Sequence, residues 1–144
     1  MKQTPSLFRI VQVDYLASLG LILPIAMWGV TLVGRFFDPE MASFFGLIAA
    51  PATLVGLGLI AWRAWAIRSV VGGGTQVPGV VSSIAFFRGR GRIRYVYTYR
   101  GKKHEGSSAL QSNRFARALA PGQEVTIMLD SANPSRAFVR ELYI

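Results

Sequence analysis

The sequence predicts an α+β membrane protein, with a two-helix transmembrane hairpin followed by a small antiparallel β-barrel or rolled-sheet domain. Residues 16–34 and 41–62 contain no charged side chain, and each run is long enough to cross a hydrocarbon core about 30 Å thick. Later segments alternate apolar and polar residues, which is typical of half-buried strands. The composition agrees, because 51% of the 144 residues are hydrophobic and only 16% are charged, which is unusually apolar for a soluble domain.

The net charge of the chain is +9, which favours an anionic partner such as anionic lipid, nucleic acid or an acidic protein. The same excess of basic residues also arises when basic flanks orient a membrane protein. The chain contains no cysteine. Disulfides, thiolate nucleophiles and cysteine-based metal sites are therefore excluded.

An N-terminal interfacial segment is predicted at residues 1–15. Its apolar residues are interrupted by Arg9, Gln12 and Asp14, which is not the composition of a cleavable signal peptide. We expect residues 5–15 to form an amphipathic helix that lies in the membrane interface and leads into the first span. The stretch RIVQVD also alternates as a strand would, so the sequence leaves that alternative open.

The transmembrane hairpin is predicted at residues 16–68. Asp38 can cap the second helix, with Pro39 at its first position, so a tight turn joins two antiparallel spans. Pro24 and Pro51 lie inside the spans, where they shape helix packing or, alternatively, serve a transport movement. Small residues four apart allow close approach of another helix, which could be the first span, a second copy or a different protein. These helix-packing candidates are Gly46, Ala50, Ala52 and Gly56.

Basic residues mark one end of the hairpin. The turn at residues 35–40 carries no net positive charge, whereas the N-terminal flank, with Lys2, and the tail beyond residue 62 are rich in basic side chains. The positive-inside rule therefore places the N-terminus and the C-terminal domain in the cytoplasm. Aromatic and basic side chains at this end are of the types that anchor helices in the headgroup region. These interface anchors are Tyr15, Trp62, Arg63, Trp65 and Arg68.

Residues 69–78 are predicted to form a glycine-rich linker to a small basic β-domain at residues 79–144. In RIRYVYTY (92–99), one face carries an isoleucine and three tyrosines while the arginines lie on the other, so we expect the tyrosines to line the core. About 70 residues make a thin core, which docking on the membrane or on a partner would stabilise. The predicted strands are 80–87, 92–99, 103–110, 124–129 and 137–142.

The β-domain also carries a set of recognisable motifs. They are GVV at 79–81, YVYTYRG at 95–101, SS at 107–108, PGQEVTI at 121–127 and LDSANPS at 129–135. Together they resemble the bacterial family known as domain of unknown function 3592, although Leu129 stands where that family commonly has a tyrosine. The resemblance implies two membrane spans beside such a domain, in the bacterial inner (cytoplasmic) membrane. It implies no established activity.

No catalytic, cofactor-binding or metal site is predicted. His104 is the only histidine and has Glu105 and Ser108 nearby. Adjacent strand residues point to opposite faces, so a surface histidine is favoured over a catalytic triad. The acidic residues beyond residue 68 are scattered and do not have metal-ligand spacing. The glycines at 72–74 and 89–91 match neither a phosphate-binding loop nor a dinucleotide fingerprint.

The stretch FFRGRGRIRYVYTYRG (86–101) is the most unusual feature of the sequence. A ribbon that grips phosphates and stacks bases needs arginines and aromatic rings on one face, whereas here the two types alternate. A plain solvated face, or contact with anionic lipid or an acidic protein, is therefore favoured over nucleic acid. The candidates for contact with an anionic surface are Arg88, Arg90, Arg92 and Arg94.

These observations favour a non-enzymatic small membrane protein that serves as an accessory or scaffold subunit of a larger membrane complex. The small-residue helix faces suit packing against other subunits, and the β-domain would contact protein or lipid. One alternative is a homo-oligomeric transporter or channel-like element, although ion pathways usually need ionisable residues in the spans. Another is a membrane-tethered module that binds anionic lipid or nucleic acid through the Arg-rich hairpin.

Overall fold

The computed structural model describes residues 4–144. The beginning of the predicted segment 1–15, with Lys2, lies outside these residues. The helices are α1 (Leu7–Val13), α2 (Tyr15–Phe37), α3 (Pro39–Gly73), α4 (Arg114–Arg117) and α5 (Arg140–Tyr143). The strands are β1 (Thr75–Phe87), β2 (Arg90–Tyr99), β3 (Lys102–Gln111), β4 (Glu124–Leu129) and β5 (Ala137–Val139).

Helices α1 and α2 are nearly continuous, and Asp14 alone separates them. Ser6 caps α1, its hydroxyl accepting a hydrogen bond from the backbone N–H of Arg9 (3.1 Å). Asp14 has extended backbone and caps α2, its carboxylate accepting from the N–H of Ala17 (2.9 Å). Short polar side chains of this kind satisfy the free N–H groups at a helix start. The helical prediction for this segment is confirmed, and the strand alternative is wrong.

Helices α2 and α3 form the predicted antiparallel hairpin. The Asp38 carboxylate caps α3 by accepting from the N–H groups of Glu40 (3.1 Å) and Met41 (3.2 Å). Pro39 occupies the first helical position, where a missing N–H is tolerated. Both helices are long and apolar enough to cross a membrane. Most of their large apolar side chains are exposed in this single chain, as expected for helices that face lipid or other membrane helices.

Helix α3 continues well beyond its apolar run. Its 35 residues span about 52 Å at 1.5 Å per residue, so roughly two fifths of its length extends past a hydrocarbon core of about 30 Å. The helix ends at Gly73 and β1 begins at Thr75. Gly74 joins them, and neighbouring carbonyl oxygens leave no room for a Cβ there. The predicted flexible linker at 69–78 is therefore wrong, because buried side chains such as Val70 hold this stretch against the sheet.

The strands form one antiparallel sheet in the order β3-β2-β1-β4-β5. Its two consecutive hairpins turn at residues with positive φ, namely Arg88 (49°) with Gly89 (80°), and Arg100 (51°) with Gly101 (73°). Positive φ at both central residues matches the twist of the flanking strands. The first four predicted strands are present, with β1 starting earlier, at Thr75.

Strand β2 has the two faces that the sequence predicts. Ile93, Tyr95 and Tyr97 are buried, whereas Arg92 and Arg94 are exposed. This alternation follows from the two-residue period of a strand. The arginine-bearing face is therefore the outer face of the sheet.

The sheet curls until it is nearly closed. The Tyr95 hydroxyl on β2 donates a hydrogen bond to the carbonyl of Ala137 on β5 (2.6 Å). The Tyr97 hydroxyl donates to the carbonyl of Pro134, just before β5. These bonds run from an inner strand to the far edge of the sheet across its interior. The prediction of a barrel or rolled sheet is thus confirmed as a barrel-like domain.

The predicted last strand, 137–142, is only partly correct. Strand β5 covers Ala137–Val139, and the following residues Arg140–Tyr143 form α5. The Glu141 carboxylate accepts a hydrogen bond from the backbone N–H of Thr126 on β4 (2.8 Å). This contact stabilises a helical turn folded back on the sheet, where the prediction had further extended chain.

The helices and the sheet share one hydrophobic core. Ile10 of α1 and Ile67 of α3 are fully buried in the same cluster as Ile93 of β2 and Leu110 of β3. A sheet of this size has little core of its own, and the chain's own helices supply the missing apolar contacts. The hairpin and the β-domain are therefore packed together, and the sheet lies at the end where α2 begins.

Candidate functional site at the junction of the helices and the sheet

A buried ion pair joins the start of α2 to the extension of α3. Asp14 is only 1% exposed. The Arg63 Nε lies 3.1 Å from the Asp14 Oδ1, and the Arg63 Nη2 contacts the Oδ2. Two parallel hydrogen bonds of this kind offset much of the cost of removing both charges from water. Arg63, predicted to extend towards headgroups as an interface anchor, instead fixes the two helices at this level.

Arg9 connects the first described helix to the C-terminal turn. Its guanidinium donates hydrogen bonds to the carbonyls of Leu142 (3.1 Å), Ile144 (3.2 Å) and Glu141 (3.3 Å). It also lies 3.6 Å from the centroid of the Phe115 ring. Basic side chains commonly satisfy the free carbonyls at the end of a helix. These contacts hold the first turn of α1 to the end of α5.

An open groove of about 480 Å³ lies where α3 meets the sheet. Its other walls are β3 and the region of β5, which are the two edges of the sheet. Trp65 is 63% exposed there, and the Arg136 guanidinium lies 5.7 Å from its ring centroid. We call this site the junction groove. Its lining residues are Asp14, Leu16, Trp62, Arg63, Trp65, Ala66, Ser107, Ser108, Ala109, Ser135, Arg136, Ala137 and Phe138.

The four candidate arginines lie on the β1–β2 hairpin. We call residues 86–94 the basic hairpin. Its strands pair antiparallel, with Phe87 opposite Arg90. The segment contains no acidic residue, so its exposed side is uniformly positive. The exposed arginines are Arg88, Arg90, Arg92 and Arg94.

The basic hairpin lies beside the first residue of α2. The Arg90 guanidinium is 5.0 Å from the ring centroid of Tyr15. Tyr15 and the hairpin together line a second groove, of about 380 Å³. Phe87, at the end of β1, is 71% exposed. The tertiary structure thus brings the arginines to the start of the first apolar helix, although Arg90 follows Tyr15 by 75 positions in the chain.

Two of the other predicted interface anchors remain free to contact headgroups. Trp62 and Trp65 are 54% and 63% exposed, and amphipathic rings of this kind favour the membrane interface. Tyr15 is half-buried beside the basic hairpin. Arg68 instead donates a hydrogen bond from its Nε to the carbonyl of Pro5 (3.0 Å). It therefore holds the chain that precedes α1.

The closest crossing of α2 and α3 is at Gly56. A Cβ on this residue would overlap the carbonyl oxygen of Gly20 and would lie 2.8 Å from the Pro24 Cγ. Of the three partners that the sequence left open, the first span is therefore the one that Gly56 contacts, and Pro24 is part of that contact. Small residues seven apart on α3 form the buried seam, a spacing that differs from the predicted one. The seam residues are Ala42, Ala49 and Gly56.

The remaining helix-packing candidates differ in their contacts. Gly46 faces the first span, where an added Cβ would lie 3.5 Å from the Thr31 Cγ2. Ala52 is half-buried, whereas Ala50 is exposed. Ala50 is thus on a face of α3 that the first span does not cover. A second copy or another protein remains a prediction for that face.

The structure does not assemble a triad around the histidine. His104 stacks on Tyr97, with ring centroids 5.5 Å apart and 15° between the planes. Ser108 instead lies 3.4 Å from the Tyr95 hydroxyl. Among residues 4–144, no group of three or more histidine, cysteine, aspartate or glutamate side chains could hold a metal ion.

Burial perturbs two tyrosines in the core. It raises the pKa of Tyr95 to about 12, because the phenolate would lose its hydration. The pKa of Tyr143 is also raised, first by burial and second by the Asp14 carboxylate. Within the described part of the chain, the Tyr143 hydroxyl is the one buried side-chain polar atom that has no hydrogen-bond partner.

Asp14, Arg136 and Tyr143 lie at this junction, and the sequence did not single them out as site residues. Asp14 did have a signal, since it is a lone acid at the edge of the first apolar run and Arg63 stands at the edge of the second. An antiparallel hairpin brings those two edges together. Tyr143 has no comparable signal, because the predicted last strand (137–142) ended before it and no helical turn was expected there.

These features define the class of the protein: a hairpin of two candidate membrane-spanning helices fused to a nearly closed antiparallel β-domain. The two helices suggest a membrane protein. The family described as Domain of unknown function (DUF3592) matches residues 70–142, which are the end of α3 and nearly all of the β-domain. The chain belongs to the DUF3592 family, as the sequence motifs predicted. Searches among curated proteins and among solved structures gave no match.

Proposed function

We propose that this protein is a non-enzymatic accessory or scaffold subunit of a larger membrane complex. Its helical hairpin would anchor it in a bacterial inner membrane, with the N-terminus and the β-domain in the cytoplasm. The β-domain would then contact protein or lipid at the membrane surface. The orientation rests on the positive-inside rule, because basic residues are concentrated at the β-domain end of the hairpin.

The junction groove is the observation that carries this proposal. It presents an exposed tryptophan, Trp65, with the guanidinium of Arg136 against its ring. Tryptophan and arginine are the residue types most enriched at the energetic centres of protein interfaces. The groove also runs along the two edges of the sheet, where a partner could add backbone hydrogen bonds. A protein partner therefore suits its shape and its chemistry.

The attachment of the β-domain gives further support. A domain on a flexible tether would lose conformational entropy each time it was fixed in a complex. Here the shared core holds the domain against the helices, and the Asp14–Arg63 ion pair fixes the two helices to each other beside it. The groove is thus presented at a defined height and orientation relative to the hairpin, which favours a fixed place in an assembly.

Gentle solubilisation of the native membrane tests the proposal. The expected result is a particle in which this chain co-purifies with the same partner proteins in fixed stoichiometry. The double variant Trp65→Ala/Arg136→Ala should lose those partners while remaining in the membrane. A matched control is Lys102→Ala/Lys103→Ala, at two exposed residues that begin β3, and this variant should keep the partners.

Two outcomes would overturn the proposal. One is a particle that contains this chain alone. The other is a homo-oligomer without further subunits, which would support the transporter or channel-like alternative. Ion flux through liposomes containing the purified chain would then decide that alternative, with Pro24→Ala and Pro51→Ala as the variants to compare.

A further inference from the structure

The basic hairpin joins two features that are separate in the sequence. One is a run of four exposed arginines without an acidic neighbour, and the other is the first turn of a helix suited to crossing a membrane. The contact between Arg90 and the Tyr15 ring fixes their relative position. Once α2 is in a bilayer, the arginines therefore lie at the level of the lipid headgroups. This placement does not depend on any partner subunit.

The groove beside Tyr15 has the shape and charge for a phosphate headgroup. It measures about 380 Å³ and is lined by the Tyr15 ring, by Phe87 and by the side chains of Arg90 and Arg92. Both arginines are exposed, and no salt bridge holds either of them in the described chain. Arginine forks bind phosphate oxygens with two parallel hydrogen bonds. The aromatic wall would contact the glycerol and upper acyl region.

Phe87 gives a second reason to place this hairpin in the interface. Its side chain is 71% exposed, and the Arg88 guanidinium lies 5.1 Å from its ring centroid. An exposed aromatic ring on a soluble surface would cost hydrophobic free energy, whereas the headgroup region accommodates aromatic rings flanked by basic side chains. The uniform positive charge of the hairpin complements the negative cytoplasmic leaflet.

We propose that the basic hairpin and Tyr15 form a binding site for the phosphate headgroup of an anionic phospholipid at the membrane surface. The ligand class is a lipid with a net negative charge, such as phosphatidylglycerol. Zwitterionic lipid carries the same phosphate without the net charge and should bind much more weakly. The site would enrich anionic lipid around the end of α2 and hold the β-domain on the bilayer.

The test uses the full chain in lipid nanodiscs. Because the protein has no cysteine, a single Ser83→Cys substitution carries a donor dye on the exposed face of β1, opposite Arg94 in the register. Energy transfer to acyl-labelled phosphatidylglycerol is compared with transfer to acyl-labelled phosphatidylcholine. The expected result is preferential transfer to phosphatidylglycerol that weakens as salt is raised.

Two sets of variants with equal loss of charge make the test specific. Arg88→Gln/Arg90→Gln/Arg92→Gln removes three positive charges from the basic hairpin and should weaken the preference roughly a hundredfold. Arg100→Gln with Lys102→Gln and Lys103→Gln removes three charges from the opposite end of β2 and should change it little. Equal loss in both sets would overturn the proposal, because it would indicate a general charge effect.

Competition experiments distinguish the lipid headgroup from a free phosphate ligand and from nucleic acid. Inorganic phosphate or glycerol phosphate that abolished the preference at millimolar concentration would overturn the lipid assignment in favour of a free phosphate ligand. Displacement by a single-stranded RNA at lower concentration would overturn it in favour of nucleic acid. The single variant Arg90→Gln serves if the triple variant does not fold, and it should weaken the preference about fivefold. No preference in the unmodified chain would also reject the site, whatever partners the protein has.

Discussion

Asp14 and Arg63 lie 49 positions apart in the chain and meet in a buried ion pair. Asp14 has two roles, because the same carboxylate caps α2 through the N–H of Ala17. The Arg63 side chain is 17% exposed, so it is screened by solvent far less than a surface pair would be. The Asp14 side chain thus both starts α2 and fixes α2 against α3.

Removing the arginine should be costly because it leaves the carboxylate buried without its counter-charge. We expect Arg63→Met to destabilise the folded chain by about 3 kcal/mol or more. The double variant Asp14→Asn/Arg63→Met should recover part of this loss, since neither charge remains. Unfolding in mixed micelles, followed by near-ultraviolet circular dichroism, measures both.

Arg68→Met is the matched control for that prediction. Arg68 lies on the same helix but is exposed, so its replacement should cost about 1 kcal/mol or less. If Arg63→Met and Arg68→Met proved equally stable, the buried pair would have no structural role.

The raised tyrosine pKa values predict sensitivity to alkali. The folded-state pKa of Tyr95 is about 12, above its ordinary value of 10.0, and that of Tyr143 is raised in the same direction. Stability from these neutral hydroxyls is complete below pH 10 and is lost as pH rises through the folded pKa. We expect unfolding between about pH 10 and 12, with phenolate absorbance appearing together with loss of the sheet signal.

Tyr143→Phe measures what the buried Tyr143 hydroxyl, which has no hydrogen-bond partner, contributes to the free energy of unfolding. Removing a buried polar atom that has no partner should be neutral or stabilising, by up to about 1 kcal/mol at neutral pH. It should also move alkaline unfolding to higher pH. Marked destabilisation by Tyr143→Phe would show instead that this hydroxyl makes a hydrogen bond.

At the scale of elements, the crossing of α2 and α3 depends on two glycines that touch. Gly20 and Gly56 face each other so closely that neither has room for a Cβ. Membrane helices associate through such close backbone packing, because lipid provides no hydrophobic driving force between them. The position of this crossing then sets where the ends of both helices meet the sheet.

Gly56→Ala should therefore weaken the hairpin, whereas Gly58→Ala should not. An added methyl at Gly56 would overlap the Gly20 carbonyl, and overpacking of this kind costs about 1–3 kcal/mol. At Gly58, two residues away on the same helix, no atom lies within 4 Å of an added Cβ. The fraction folded during detergent titration measures both variants. If Gly56→Ala and Gly58→Ala had the same fraction folded, the close crossing of α2 and α3 would have to lie at other residues.

At the scale of the whole molecule, the helices and the sheet share a single hydrophobic core. The α3 extension and α1 contribute Ile67 and Ile10 to the core of the β-domain. Most of the basic residues, Trp62, Trp65 and the two grooves described above lie at that end of the hairpin. A bilayer around the apolar part of the helices would therefore have all of these features on one side.

Cysteine labelling tests that sidedness. In right-side-out spheroplasts, an impermeant maleimide should label Phe37→Cys at the hairpin turn and should not label Ser83→Cys on β1. Phe37 is 84% exposed, and Ser83 is exposed on the outer face of the sheet. After the membrane is opened, both should react. Labelling of Ser83→Cys in intact spheroplasts would reverse the proposed orientation.

Much of the fold was predictable because it is coded by short-range patterns. Asp38 and Pro39 predict the start of α3, and the alternation around Tyr95 predicts the inner face of β2. Two predictions were wrong where long-range packing overrides local signals. The glycine-rich sequence near Gly74 predicts a flexible linker, yet contacts with the sheet make it a closely packed junction between α3 and β1. Residues 140–142 were predicted as the end of the last strand, yet Glu141 binds β4 and the chain forms a helical turn.

The candidate site was less predictable than the fold. The four arginines were found from the sequence, because an acid-free basic run is visible locally. Their position beside Tyr15 was not, since it depends on the register of β1, β2 and β3 and on how the sheet docks against the helices. The junction groove could not be predicted for the same reason, because its lining residues come from four distant segments of the chain.

Composition and spacing within a few residues were enough to predict the two apolar helices, the turn between them, the alternating strands and the family. The packing of the β-domain onto the helices, the Arg63–Asp14 pair and the position of the basic hairpin beside the first helix are visible only in the folded chain, because these contacts join residues tens of positions apart. Their free energy exists only once a shared core has formed.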